Sequence, residues 1–421
     1  MLLSKVPKMR VLLINKYHYR KGGTETFKFN LAEALEELGH EVVFFSMRNK
    51  NNEPGLGAEY FIDEIDYNDP NLGFWDKARL ASKLIYSRDA KSHIEQLLDA
   101  YKPDIAHIGL IHRQLTFSIV DALVEHNIPI VMHLHELSAV CPCYTMLQPD
   151  GTICQECLGG HFSHCVEHKC MKKSRVKSIL AYLEAQFLTH RGYYDKIDAY
   201  IAECDFYKQL AVKSGFTSSP IYRLNNFLPV GQSYSVGKIK GNYILYFGRF
   251  SREKGVLTLL EAYKMLSPKE DLLLVGAGSE KELIEHFVKD NSLSDKVRIF
   301  GPTYGYAMDE IIADATLVVV PSEWYENGAF VALQSMAKGK IVVASDIAGL
   351  GEIFSHGENG FLFEPGNPNS LAEVLNEALS LDDLEKDRMS RAIVSNVKDR
   401  CDWKAYVNEL LSIYSDLIAE G

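Results

Sequence analysis

The chain has 421 residues, 47% hydrophobic and 24% charged, which is too much for one ordinary core and suits two soluble α/β domains. Asp plus Glu outnumber Lys plus Arg by 56 to 45, a net charge of −11, and this argues against a general nucleic-acid binder, which needs a basic face. No apolar run approaches a membrane span, and Val11–Ile14 is too short an apolar core for a signal peptide, so a cytoplasmic protein is expected.

Met1–Lys8 reads as a loose extension. Arg10–Asn15 is a first strand, Lys16–Gly23 a loop, and Thr24–Leu38 a helix closed by Gly39; Glu41–Ser46 is the second strand. This is the opening unit of a nucleotide-type α/β domain. Gly22-Gly23 is not a GxGxxG fingerprint, which disfavours a dinucleotide, and its plainest reading is a turn needing positive φ. Asp104–Ile108 and Ile128–Leu134 are further strands, with a helix near Leu115–Glu125 between them. His133-Leu134-His135-Glu136 stands at the second strand's C-terminus, where open parallel sheets place ligands. For His107, His112 and His133 a core or surface role is the plainer reading.

Six of the eight cysteines fall between Cys141 and Cys170. Cys154 and Cys157 form a CxxC knuckle, flanked at equal distances by Cys141 and Cys170, and four thiolates so placed suit a tetrahedral structural zinc site. Cys143, Cys165, His161, His164 and His168 are alternative ligands. A disulfide-linked loop competes, although a reducing cytoplasm disfavours it; redox-active or idle cysteines are the third reading. Lys172, Lys173, Arg175 and Lys177 then lead into a helix bearing Ile179, Leu180, Leu183 and Phe187. Such a stretch suits either a peripheral contact with an anionic membrane or phosphorylated lipid, or a merely solvated face.

Ala199–Ala202 and Ile221–Leu224 complete the first domain, residues 1–230, and residues 231–241 read as a linker without periodicity. The βα rhythm restarts over residues 242–400, with strands at Tyr243–Phe247, Leu272–Val275, Val297–Phe300, Leu317–Val320 and Ile341–Ala344. Gly248 and Arg249, followed by Lys254-Gly255, end its first strand, and two cations there suit a diphosphate. A surface ion pair with Glu253 is the bland alternative. No Asp-x-Asp pair follows a strand, which argues against a metal-held diphosphate. After Leu317–Val320, Gly328 is expected to open a helix to about Lys338, leaving the N–H groups of Gly328, Ala329 and Phe330 for an anion. Phe330, Leu333, Gln334 and Ala337 recur at helical spacing, which turns Gln334 inward, where an unpaired amide costs about 1–3 kcal/mol. Residues 401–421 form a last helix bearing Trp403, Tyr406, Leu410, Ile413 and Tyr414.

The stretch from Pro321 to Glu352, with Ser322, Glu326, Met336, Ala337 and Gly339 in register, resembles glycosyltransferase family 4, the retaining enzymes of the GT-B fold. Gln334 stands where that family has its second acidic residue. The resemblance implies a GT-B molecule of two doubly wound Rossmann-like domains facing across a cleft, with the last helix crossing back to the first. It implies that Arg249 and Lys254 hold a donor pyrophosphate, Glu326 the sugar hydroxyls and Gln334 the ribose. It further places His135 and Glu136 at the sugar, Gly22-Gly23 at the phosphates, and Gly276, Gly278 and Gly301 beside the base. Attack from the leaving-group face, with the departing phosphate taking the acceptor's proton, is implied in the same way, with no metal or other cofactor at the diphosphate. A cysteine-bearing insertion occurs in a subset of the family. The expected partners are a nucleotide-diphosphate sugar and a glycan, lipid-linked or other hydroxyl acceptor, met by loops in Lys50–Ser82 and near Tyr144–His161. A nucleotide-sugar 2-epimerase of the same fold and a catalytically silent binding protein are the rival readings.

Overall fold

The computed structural model describes residues 7–64, 82–236 and 241–420. Residues 1–6 of the N-terminal extension, 65–81 of the Lys50–Ser82 loop and 237–240 of the linker lie outside them. The chain divides into two compact units, residues 1–224 together with 403–421, and residues 225–402.

The first unit is a six-stranded parallel sheet covered by helices, with a separate two-stranded parallel pair, Met47–Arg48 beside Ile62–Asp63. In chain order it has β1 (Arg10–Ile14), α1 (Gly23–Glu37), β2 (Glu41–Phe45), α2 (Arg88–Tyr101), β3 (Ile105–Ile108), α3 (Ser118–Glu125) and β4 (Ile130–His133). Then come α4 (Arg175–His190), β5 (Ala199–Ala202), α5 (Asp205–Ser214) and β6 (Ile221–Arg223). The strand order is β2-β1-β3-β4-β5-β6, all neighbours parallel. Val11–Ile14, Ile105–Ile108 and Ile130–His133 are buried without alternation, because helices cover both faces of a parallel sheet. Order along the sheet reverses at β1, which opens a crevice past the C-terminal ends of β1 and β3.

The second unit repeats the plan with β7 (Tyr243–Arg249), α6 (Val256–Leu266), β8 (Asp271–Ala277), α7 (Lys281–Asp290), β9 (Val297–Phe300), α8 (Gly305–Asp314) and β10 (Leu317–Val320). It continues through α9 (Phe330–Ala337), β11 (Val342–Ser345), β12 (Phe361–Phe363), α10 (Pro368–Ser380) and α11 (Asp383–Arg400). The order is β9-β8-β7-β10-β11-β12, so the switch lies between β7 and β10. The segment after Asn225 is fastened to this unit: Asn226 donates to the Gly328 carbonyl (3.0 Å), and Ser235 N–H to that of Ala337 (3.0 Å).

The last helix, α12 (Trp403–Glu420), belongs to the first unit. It buries Tyr406, Val407, Leu410, Leu411, Ile413 and Tyr414 and packs on α1. The Tyr414 hydroxyl shares a 2.6 Å hydrogen bond with Nδ1 of buried His107.

Candidate active site

The switch in the second unit brings the ends of β7 and β10 side by side, and the residues following each meet there. Lys254 places its ammonium 2.5 Å from Oε1 of Glu326 and 5.1 Å from the centre of the Trp324 ring. Ser322, itself buried, donates to the same carboxylate oxygen at 2.6 Å. Burial pushes the Glu326 carboxyl upward, but the Lys254 charge and these hydrogen bonds outweigh it, so its pKa is lowered and it stays ionised at neutral pH. The pair can form because Gly255, at φ +66°, packs under Pro321: a Cβ there would sit 1.8 Å from the Pro321 carbonyl oxygen. Gly276 has the same function one strand over, since its Cβ would lie 1.9 Å from the Gly248 carbonyl. Gly301 is exposed, past the end of β9, with open space about it.

Arg249 differs from Lys254. Its guanidinium is 62% exposed and pairs with Glu253 at 3.2 Å. That contact is the surface ion pair weighed against a diphosphate role. Glu253 also accepts from Ser251 (2.7 Å), so it is held in place while Arg249 stays accessible.

Two expectations about α9 need correction. The helix begins at Phe330, not Gly328, and Gly328 N–H donates to the Asn327 side chain at 2.7 Å. Ala332 is the first residue to bond back, to the Ala329 carbonyl (2.9 Å), so the open N–H groups at the start are those of Ala329, Phe330 and Val331. The buried face is Ala332, Leu333, Ser335, Met336 and Ala337, whereas Gln334 is half-buried beside Phe330 and Val331. Small side chains let the helix lie close against β10 and β11, and the bulkier residues turn to the open side.

In the first unit, His135 follows the end of β4. Its Nδ1 lies 2.9 Å from Oε1 of Glu203, and Nε2 of His133 lies 3.2 Å from the same oxygen. The two imidazoles stack at 4.1 Å, 3° from parallel, with Phe27 edge-on to both. Burial raises the Glu203 pKa, but hydrogen bonds and charge from the two histidines dominate and bring it to about 2. Burial lowers His133 to about 4. Glu203 escaped the sequence reading, although it directly follows the apolar strand Ala199–Ala202 and so occupies a strand C-terminus. Glu136 accepts from Ser138; burial pushes it up, and the charges of Lys16 and His112 bring it below its ordinary value. A small cavity past β1 and β3 is lined by Asn15, Thr24, Phe27, Lys28, His107 and His135, among others. Lys28 donates there to the Tyr17 carbonyl (2.9 Å) and contacts His18 Nδ1; burial brings its amine down to about 7. Gly22 and Gly23 are exposed at the start of α1, and neither has the positive φ expected: Gly22 is extended at φ −166°. What they contribute is uncovered backbone, since Thr26 N–H is the first to bond back, to Gly22 (3.0 Å).

Between β4 and α4 lies the cysteine-rich insertion. Cys141, Cys154, Cys157 and Cys170 all line one small cavity, joined by Cys143, His164 and His168. Arg113 ties its base, donating to the Pro142 carbonyl (2.6 Å) and to Glu184 of α4 (3.0 Å).

Comparison with known proteins matches residues 21–231, just over half the chain, to the model of Glycosyltransferase Family 4, and residues 235–395 to that of Glycosyl transferases group 1. An uncharacterized glycosyltransferase of Methanocaldococcus jannaschii is 30% identical over 173 residues, 41% of this chain and 44% of the relative. The chain spans about half the length of the curated relatives it matches. Among solved structures, a sucrose-phosphate synthase from Thermosynechococcus elongatus superposes with a TM-score of 0.71 at 18% identity, over 98% of this chain and 100% of that one. Anabaena HepE, in complex with UDP and glucose, gives 0.66 at 16% identity, over 97% and 100%. At such identities the likeness is one of fold, and that fold is GT-B. Two parallel α/β units and the two family matches agree: the chain belongs to glycosyltransferase family 4.

Proposed function

We propose that the protein moves a sugar from a nucleotide-diphosphate sugar to a hydroxyl acceptor, retaining anomeric configuration and needing no metal at the diphosphate. What supports this reading is the pairing of β7 with β10 on one unit, with Arg249 ending β7, Lys254 after it bonded to Glu326 after β10, and α9 following Glu326 with an uncovered start. Charge-assisted bonds from the two side chains, worth about 1.5–3 kcal/mol each, and N–H donors left unbonded by the helix suit a pyrophosphate whose charge grows as the nucleotide leaves. Glu326, kept ionised by Lys254, accepts from sugar hydroxyls. Gln334, on the half-open side of α9, offers an uncharged amide to the ribose. His135 is assigned to the sugar on the family resemblance, and Glu203 would hold its ring in one orientation. Anabaena HepE, a protein of the same fold, is in complex with UDP and glucose, which supports a nucleotide donor of this class for the present chain.

The acceptor is a glycan or a lipid-linked alcohol, as in the building of cell-surface polysaccharides. Val176, Ile179 and Leu183 are exposed along one stripe of α4, and Lys172, Lys173, Arg175 and Lys177 are exposed beside them. A stripe of that kind suits an anionic bilayer on which a lipid-linked acceptor is presented. Among the described residues no helix is long and apolar enough to cross a membrane.

Thermal stabilisation by uridine, guanosine and adenosine diphosphates selects the donor base, since a ligand of the native state raises its apparent stability. Transfer from the matching sugar nucleotide is then followed by NMR of the product anomer. Stabilisation by none of the three, or an inverted product, would refute the assignment. Epimerised donor without acceptor would instead favour the 2-epimerase. For the membrane contact, equal pelleting with neutral and anionic liposomes would count against it.

A further inference from the structure

The insertion between β4 and α4 has little to hold it together. From 134 to 174 its regular structure amounts to a five-residue helix, Ser163–Glu167, a single 3-10 turn and the isolated bridge Leu147–Ile153. Tyr144, Met146, Lys169, Lys172 and Lys173 all have positive φ, which non-glycine residues adopt at a cost of about 1–2 kcal/mol each. Its buried apolar side chains, among them Leu137, Val140, Met146 and Phe162, are few against that strain and ordering entropy, and small modules of this kind commonly rely on a staple.

Four thiols are buried in it beside Leu137, Val140, Met146 and Phe162. No disulfide joins the cysteines of the described residues, and Cys141, Cys143, Cys157 and Cys165 are buried. Their sulfurs run as a chain: Cys157 hydrogen-bonds Cys141, Cys141 lies 3.3 Å from Cys143, Cys143 bonds Cys170, and Cys170 bonds Cys165. Met146 and Leu147 close the cavity on its apolar side. Thiol-to-thiol bonds are weak, so they do not by themselves account for convergence from both ends of a 30-residue loop. Among the described residues no three sulfurs lie mutually within 4.8 Å, so an ion would draw the chain into a tetrahedron. On the rim, Glu156, His164 and His168 form a separate trio that does meet that distance.

We propose that this cavity holds one zinc-class divalent ion through the thiolates of Cys141, Cys157 and Cys170, with the fourth thiolate from Cys143 or Cys154 on the same wall. Soft sulfur ligands in a closed, apolar setting suit a structural site with no open position. The ion replaces weak S–H contacts with metal–sulfur bonds and releases the thiol protons to solvent as it binds. Because Cys141 lies six residues beyond His135, the staple fixes the chain that carries His135 and Glu136.

The test uses the full chain purified without chelator. About one equivalent of zinc by elemental analysis is expected, and cobalt exchanged for it should give the intense near-ultraviolet thiolate-to-metal absorption of a tetrahedral sulfur site. Chelation should lower Tm reversibly, with recovery on adding zinc. Cys141→Ser with Cys157→Ser should lose the ion, whereas His164→Ala with His168→Ala and the distant Cys401→Ser should keep it. If the double serine variant fails to fold, the cobalt spectrum of the unaltered chain decides. Less than about a tenth of an equivalent in that chain, or cysteines recovered as disulfides, would overturn the proposal. So would an ion lost with the two histidines but kept without the two cysteines.

Discussion

Lys254 and Glu326 tie stability and chemistry to the same two atoms. Lys254→Ala leaves the buried Glu326 carboxylate with Ser322 but no cation, and should cost about 3–5 kcal/mol in denaturant unfolding. Adding Glu326→Gln should recover a large part of that, since a neutral amide is cheaper to bury. Arg249→Ala separates the two roles. Its exposed pair with Glu253 contributes little to the fold, so Tm should hardly move while kcat/KM falls roughly 10²–10³-fold. An unchanged kcat/KM would remove Arg249 from the leaving-group site. Glu203→Gln should lower kcat by up to roughly 100-fold through His135, with donor KM held and a shifted pH profile. A purely structural Glu203 would move Tm but not that profile. The sequence made Arg249, Lys254 and Glu326 conspicuous because each stands just after an apolar strand. It did not reveal that Lys254 and Glu326 bond each other, since 72 residues separate them and only the strand order brings them together.

At the scale of elements, strand positions were legible to within a residue or two, because buried parallel strands are short apolar runs and helices fill the gaps. β12 was missed: Phe361–Phe363 is three residues long and lacks the length that marks a strand. The face of α9 was misread for a different reason. Helical spacing identifies a stripe, but Ala332, Ser335 and Ala337 are small, and tight packing on the sheet selected them over Phe330. The Gly255 turn is the sharpest test here. Gly255→Ala meets both a left-handed φ and the Pro321 carbonyl, so its cost should exceed the roughly 1–2 kcal/mol of the backbone conformation alone. The loss would be read as a lower denaturant midpoint, and a change below about 1 kcal/mol would refute the packing argument.

For the whole molecule, the first unit carries an acid-sensitive interior. Burial lowers His18 to about 3 and His133 to about 4, and His107 falls well below its ordinary 6.5 through burial and its histidine neighbours. These groups are neutral when folded and take up protons when unfolded. Their stability contribution is complete above pH 6.5 and drains as pH falls from there toward 4. Glu203, held at about 2 against an ordinary 4.5, adds a second loss below 4.5. Denaturant midpoints should therefore decline between pH 7 and 5; a flat profile would show that the histidines are not sequestered.

That same unit is assembled from two distant parts of the chain. Tyr406, Leu410 and Tyr414, which complete its core, with the Tyr414 hydroxyl on His107, follow residues 225–402 in the chain and so are made after them. During synthesis the amino-terminal half must wait, with the groove for α12 unfilled, until all of residues 225–402 have been made. Nascent chains stalled before α12 should thus remain protease-sensitive in their first half, and protection there once α12 is added is the outcome expected; equal protection without it would refute the dependence.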